Sequence, residues 1–570
     1  MRTTVTTSDG VELSVRVRGP EQAPTLVCVH GYPDNARLWD GVLAEWPDGW
    51  RVVTYDVRGA GSSDRPRDRD AYHLDRLAED LREVVDAVSP GRPVHLLGHD
   101  WGSIQAWHAL EGPWLDGRVA SFTSISGPSL AHAFRWLRAG WLRPRSAAAV
   151  SSQLVRSSYI GFFRTPVLPE LAWRTGVATA LVRRREPAEP APVTADAVAG
   201  LDLYRANMRG GQARDRARPR PVTVPVQVLA PRADPFVGVP LQTELESWVP
   251  NLRVRRIPGS HWVVRADPAR VASAAAEFAA YVEGAAETRA LKRARRGTLR
   301  VGRFDGRLVV VTGGANGIGR ATALAFAREG ADLVLADIDA SALAETARAV
   351  RDAGVTVVTH HVDVADAGAM ERFVEEVVRD CGVPDVVVNN AGIGLAGRVL
   401  DTTEDEWRRL VDVNFWGVLH GCRLFAPHMV ERGEGGHLVN VASMAAYLPN
   451  PMLPAYSTVK AAVLMLSESL RAELAATDVG VSAVCPGFVD TGIVGATRFA
   501  GTDESEQERR RQRAQRFYTA RKARPELVAR DVLRAVEEDL PVVTPTVEAK
   551  AARLAARWTP GLVRAALRRR

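Results

Sequence analysis

The chain has 570 residues, more than one ordinary domain holds, and its 46% hydrophobic and 25% charged residues are a globular composition. Its net charge of +7 comes from local arginine clusters, not an evenly basic surface, which argues against nucleic-acid binding. The cysteines, Cys28, Cys381, Cys422 and Cys485, lack CxxC spacing, and no apolar run forms a signal core or spans a bilayer, so a cytoplasmic protein without a disulfide framework or metal site is expected.

In chain order, Val11 to Val17 alternates and Thr25 to Val29 is apolar, so both read as strands. The second ends in His30-Gly31-Tyr32-Pro33. Val52 to Tyr55 is a third strand. The glycine-rich stretch after it, Asp56 to Ser63, lacks the spacing of a phosphate cradle and reads as structural. Val94 to Leu97 then runs into Gly98-His99-Asp100-Trp101-Gly102-Ser103, with helical sequence from Ile104. That is the context of a nucleophile elbow, in which a side chain is held exposed on a sharp strand-to-helix turn. Serine is the usual occupant, and here it is Asp100. A carboxylate needs no base to remove a proton before attacking a saturated carbon, and the ester it forms has a carbonyl that water can hydrolyse. The backbone N–H groups of Tyr32 and Trp101 are placed as oxyanion donors, and losing one such donor costs about 10²–10³ in rate.

A segment rich in Arg, Trp and Pro, from about Gly127 to Arg220, interrupts this pattern. The strand Val226 to Leu229 leads to Asp234, and Ile257-Pro258-Gly259-Ser260-His261 supplies a histidine before an amphipathic helix, Pro268 to Val282. The chain order is nucleophile, acid, histidine. These motifs resemble the α/β-hydrolase fold in its epoxide hydrolase and haloalkane dehalogenase branch. The resemblance covers residues 1–284, with a core of 1–127 and 221–284 and a helical cap at 128–220. It implies that Asp100 attacks an epoxide carbon and that Tyr159 and Tyr204 in the cap protonate its oxygen. His261, oriented by Asp234, then activates water to release a vicinal diol. A dehalogenase would carry asparagine where this chain has Tyr32, which leaves a dehalogenase fused to an alcohol dehydrogenase as the alternative. The cap aromatics Phe134, Trp136, Trp141, Phe162, Phe163 and Trp173 suggest a lipophilic small-molecule substrate.

Residues 285–303 are strongly basic without a periodic apolar face and read as a linker. Beyond them, Arg307 to Val311 reads as a strand buried in a parallel sheet. It leads into Thr312-Gly313-Gly314-Ala315-Asn316-Gly317-Ile318-Gly319 and a helix. Glycines at such a turn let the backbone approach a pyrophosphate seated on the helix N-terminus. A second strand ends at Asp337, the acid expected on the adenosine ribose. Its charge repels a 2′-phosphate, so NAD is favoured over NADP. The remaining alternation of strand and helix gives a Rossmann-type doubly wound parallel sheet. Tyr456-Ser457-Thr458-Val459-Lys460 opens a helix with Tyr456 and Lys460 one turn apart, and a nearby ammonium lowers a phenol pKa.

With Asn389-Asn390-Ala391-Gly392, Asn414, Ser443 and Pro486-Gly487 followed by Thr491, this half resembles the short-chain dehydrogenase/reductase family over residues 304–545. The resemblance implies that Tyr456 is the acid/base and that Ser443 binds the substrate oxygen. Lys460 holds the ribose, Asn414 supports a water relay, Asp363 touches the adenine and Thr491 the carboxamide. Gly313, Asn316, Gly317, Ile318, Gly319, Asn390, Pro486 and Gly487 complete the cofactor set, while Asn389 reads as structural. Gly492 to Arg524 is the expected substrate-side lid. After Pro541 the chain is expected to leave the family core, and 546–570 reads as a basic helix that could contact anionic lipid. The dehydrogenase half implies a homo-oligomer. The whole chain resembles fused epoxide hydrolase–dehydrogenase proteins; the reading from a different class is a lipid-surface protein with only one catalytic half.

Overall fold

A computed structural model describes residues 1–141, 144–186, 192–208, 220–492, 495–520 and 523–561. It divides into two units, Met1–Arg300 and Val301–Arg570.

The first unit is built on an eight-stranded sheet: β1 (Arg2–Thr6), β2 (Glu12–Arg18), β3 (Thr25–Val29), β4 (Arg51–Tyr55), β5 (Val94–His99), β6 (Val119–Ile125), β7 (Val226–Pro231) and β8 (Leu252–Ile257). Its order is β1-β2-β4-β3-β5-β6-β7-β8. β1 and β2 are antiparallel, and the strands from β4 onward are parallel. All residues of β3 and β5 are buried, as a strand covered by helices on both faces requires. Chain order reverses around β3, which lies between β4 and β5, and ligands bind at the strand ends of such a switch point. Val29 pairs opposite Gly98, so the residues after β3 lie beside those after β5. Pro268–Val282 is helical as expected: Asp267 caps it by accepting the Arg270 N–H, and Val271, Ala274, Ala275 and Phe278 form its buried stripe. Seven short helices between Leu130 and Asn207 form the described part of the cap.

The second unit contains β9 (Leu308–Thr312), β10 (Asp332–Asp337), β11 (Val357–His361), β12 (Val386–Asn389), β13 (Leu395–Ala396), β14 (Gly436–Val441), β15 (Val479–Val484), β16 (Arg498–Phe499) and β17 (Val542–Val543). Seven of them form a parallel sheet in the order β11-β10-β9-β12-β14-β15-β17, and β13 pairs with β16 separately. The switch point lies between β9 and β12, beside the glycine-rich turn.

Two expectations about boundaries need correction. The basic stretch 285–303 is not a free spacer. Thr288 caps a helix, Arg289–Ala294, whose Leu291 and Ala294 are buried. Glu287 pairs with the buried Arg253 of β8 at 2.7 Å, and Arg295 bridges back to Arg253 through its backbone. Phe304, at the other end, packs on Phe326 in the core of the second unit. The apolar residues here are too few to show as a period; Leu291 and Ala294 are buried, while Val301 is 84% exposed. The chain also does not leave the sheet after Pro541, because β17 adds the last strand and the helix Val547–Trp558 follows it. The C-terminal stretch 562–570, with Arg568-Arg569-Arg570, lies outside the described residues, as do 209–219 of the cap and parts of the expected lid.

Candidate active sites

At the end of β5 the chain turns into the helix Trp101–Glu111 so sharply that Asp100 is held at φ +50°, ψ −123°. For a residue other than glycine such a conformation costs about 1–3 kcal/mol. Glycines around the turn make room for it. A Cβ on Gly31 would lie 2.5 Å from the Asp100 side chain, and one on Gly127 2.1 Å from the Asp100 carbonyl oxygen. The Tyr32 N–H donates to Asp100 Oδ1 at 2.8 Å. The first turn of the helix, where the Trp101 N–H lies, has no side-chain cap.

His261 and Asp234 come from the loops after β8 and β7. His261 Nδ1 lies 3.0 Å from Asp234 Oδ2, and its Nε2 lies 3.6 Å from Asp100 Oδ2. The other Asp234 oxygen accepts the N–H groups of Phe236 and Val237 at 2.8 and 2.9 Å. Burial opposes charge on His261, but Asp234 and then Asp100 outweigh it and lift its pKa to about 10. Burial also opposes charge on Asp234; His261 and the two loop N–H groups prevail and keep it below the ordinary carboxylate value. The two flanking carboxyl groups therefore favour the imidazolium form of His261.

The cap closes over it with phenols. The Tyr204 ring lies 5.0 Å from Trp101, 5.3 Å from Tyr32 and 6.0 Å from Tyr159. Burial first, and the nearby Asp100 charge, raise the pKa of both Tyr159 and Tyr204, so both stay protonated donors. Tyr32 divides its roles: its N–H faces Asp100, while its hydroxyl donates to Ala197 O at 2.9 Å and ties core to cap.

Three supporting residues carried no motif. Asp34 accepts from Trp262 Nε1 and Arg265, fixing the loop after His261. Gln153, buried in the cap, donates to Phe236 O and accepts the Gly238 N–H, each at 2.8 Å, and Arg156 donates to the Asp234 carbonyl. A glutamine in a helix looks like any polar surface residue until the loop it holds is packed against it.

In the second unit the glycine turn follows β9, with Gly313 at φ +65° and Gly317 at φ +54°. A Cβ on Gly319 would lie 1.9 Å from Gly313 O, so only glycine lets the helix Gly317–Arg328 sit this close to the turn. Asn316 provides no side-chain cap, which leaves the first-turn N–H groups of that helix available to a pyrophosphate. Ile318 is half-buried and packs against the core under the turn. Asn390 pins the turn by donating to Thr312 O and Gly313 O at 3.1 and 3.0 Å. Asp337 ends β10 and accepts the Ala315 N–H at 3.0 Å. These features fit a dinucleotide.

Asp363 accepts the Ala365 N–H and lies 3.3 Å from Arg409. Asn389 donates to Asn440 in the core, a structural placement. Asn414 exchanges two hydrogen bonds with the backbone of Ile393. Lys460 Nζ donates to Val441 O at 2.8 Å and lies 5.9 Å from the Tyr456 ring centre; burial lowers its pKa to about 8. Ser443, at the end of β14, accepts the Ala445 N–H. The Pro486 carbonyl accepts the Met444 N–H, which joins the Pro486-Gly487 loop to the Ser443 loop. A Cβ on Gly317 would lie 3.2 Å from Thr491, so Thr491 borders the glycine turn.

Comparisons agree with this division. The alpha/beta hydrolase fold model matches residues 24–265, and the short chain dehydrogenase model matches residues 307–500. "Probable oxidoreductase EphD" of Mycobacterium tuberculosis (strain ATCC 25618 / H37Rv) is 42% identical over 582 residues, covering 99% of this chain and 98% of that protein. "Putative oxidoreductase SadH" of the same strain is 35% identical over 45% of this chain and 91% of its own length. A solved short chain dehydrogenase/reductase from Burkholderia phymatum, in complex with NAD, is 34% identical over 44% of this chain and 93% of its own, at a TM-score of 0.42. The chain is an enzyme with a hydrolase-fold part and a short-chain dehydrogenase part.

Proposed function

We propose two linked chemistries for this chain, which belongs to the family of fused α/β-hydrolase and short-chain dehydrogenase proteins that includes its full-length mycobacterial relatives. The first part opens an epoxide to a vicinal diol. The second exchanges hydride between an alcohol and NAD.

The observation that carries the first reading is a carboxylate nucleophile under two protonated phenols, 3.6 Å from a histidine held by a second carboxylate. Asp100 attacks an epoxide carbon, the C–O bond breaks, and Tyr159 or Tyr204 gives its proton to the oxygen. Ester formation removes the Asp100 charge beside His261, so the imidazolium pKa falls. His261 passes its proton to the phenolate and becomes neutral. It then takes a proton from water as the hydroxide attacks the ester carbonyl, and the N–H groups of Tyr32 and Trp101 hold the oxyanion. Collapse frees the diol and restores the carboxylate. In a single turnover in ¹⁸O water, the label is expected in the Asp100 side chain and not in the diol. Labelled diol beside unlabelled protein would end this reading.

In the second part, Tyr456 holds or releases the proton of the substrate hydroxyl, Ser443 orients that oxygen, and Lys460 holds charge near the phenol. A bound nicotinamide dinucleotide supplies the hydride acceptor or donor. Asp337 supports NAD over NADP through its charge at the end of β10, and equal kcat/KM with NADP would remove that preference. A diol carbinol is a hydride donor, so one lipophilic substrate can serve both parts.

A further inference from the structure

Among the described residues 1–300, every large apolar side chain left exposed, except Met1, lies between Phe134 and Val193 in the cap. The pattern repeats along packed helices. In Leu168–Arg174, Trp173 faces inward while Leu168 and Leu171 are exposed, three residues apart. In Val177–Arg185, Ala178 is buried while Val177 and Leu181 are exposed, four residues apart, and Leu181 is 60% exposed. An ordinary surface helix presents polar residues to water at these spacings. Grouped apolar residues on an outer face mark an interaction surface.

Charge points to the occupant. Residues 130–186 hold ten arginines, no lysine and two glutamates, a net charge above the +7 of the entire chain. Both glutamates are engaged, Glu170 by Arg205 and Glu186 by Ser260. A groove of 730 Å³ opens on the cap, lined by Val155, Phe162, Arg156 and Arg185 among others. Tyr159 also lines it, and its ring packs on Tyr204 and on Phe236, which in turn packs on His261.

We propose that the outer face of the cap docks on an anionic phospholipid surface, and that lipophilic substrate passes along this groove to Asp100. Apolar side chains enter the interfacial region while arginines meet lipid phosphates. Docking is independent of the reaction; delivery to Asp100 rests on the epoxide reading.

The test is co-sedimentation of the full chain with vesicles of phosphatidylcholine, alone or mixed with phosphatidylglycerol. Binding is expected to the mixed vesicles only, and to weaken as salt rises. The double variant Leu171→Asp/Leu181→Asp should lower the bound fraction by about tenfold, and so should Arg164→Ser/Arg184→Ser. Hydrolysis of a short, water-soluble epoxide should not change in either. Equal binding to both vesicle types, or to neither, would overturn the proposal. So would binding that survives these changes but is lost in Leu554→Asp/Trp558→Asp, which assigns contact to the C-terminal helix. A cap-dependent change in oligomeric state without vesicle binding would overturn it in favour of a second copy of the chain. Vesicle binding without turnover of any epoxide would support docking and remove the epoxide reading alone.

Discussion

His261 shows how one charge directs successive steps. Its pKa, about 10 against an ordinary 6.5, rests on two carboxylates, one of which becomes an ester in the reaction we propose. Replacing that carboxylate imitates the proposed intermediate. In Asp100→Asn, the imidazole titration followed by NMR should fall by at least about one unit. A titration that stays where it was would mean Asp100 does not set the charge of the base. The sign for stability follows from the same shift. A histidine with a raised folded pKa adds stability that is complete below pH 6.5 and lost as pH rises through about 10. Urea unfolding between neutral pH and about pH 11 should therefore weaken the parental protein more than His261→Gln. The triad residues were legible in the sequence because each sits in a short motif and the three follow a fixed order. Gln153 and Asp34 were not, since what distinguishes them is the backbone group each one touches.

The helix Val547–Trp558 changes meaning once it is seen packed. By sequence it is part of a basic, partly amphipathic helix. In the fold, Thr546 caps it, Ala549 and Ala552 are buried, and Glu548 Oε1 accepts the Phe488 N–H at 3.0 Å. A Cβ on Gly487 would lie 2.4 Å from that carboxylate oxygen. Glu548 is thus a positioning residue for the Pro486-Gly487 loop, which is itself joined to the Ser443 loop. Glu548→Ala should raise the KM for NAD or lower kcat by about tenfold, since small misplacements near a reacting group are costly. Glu548→Gln, which keeps the accepting oxygen, should restore most of the loss. Epoxide hydrolysis should be unchanged in both variants; a parallel fall in the two activities would point to general unfolding instead. The stretch 285–303 follows the same logic, with Leu291 and Ala294 finding buried places that no periodic pattern announced.

At the scale of the molecule, each unit has its own sheet and its own hydrophobic cores. The two sets of reacting residues should therefore be separable. Asp100→Ala is expected to abolish diol formation and leave NAD reduction by an added diol unchanged, while Tyr456→Phe does the reverse. Separate assays of diol release and nicotinamide absorbance check this. Loss of both activities in either variant would require the two sites to depend on each other. Among the described residues no helix is long and apolar enough to cross a membrane.

Sequence alone determined the two sheet types, the chain order of Asp100, Asp234 and His261, and the glycine-rich turn after β9. Each depends on local features, either backbone geometry that only glycine allows or a fixed succession of residues along strands and turns. Tertiary structure alone decided that the Tyr32 hydroxyl ties core to cap, and that Glu548 reaches back to the loop at Gly487. It also decided that the apolar residues of the cap divide between a buried face and an exposed one. Those facts depend on distances between residues far apart in the chain, and helical periodicity cannot tell which of two apolar faces will find a partner.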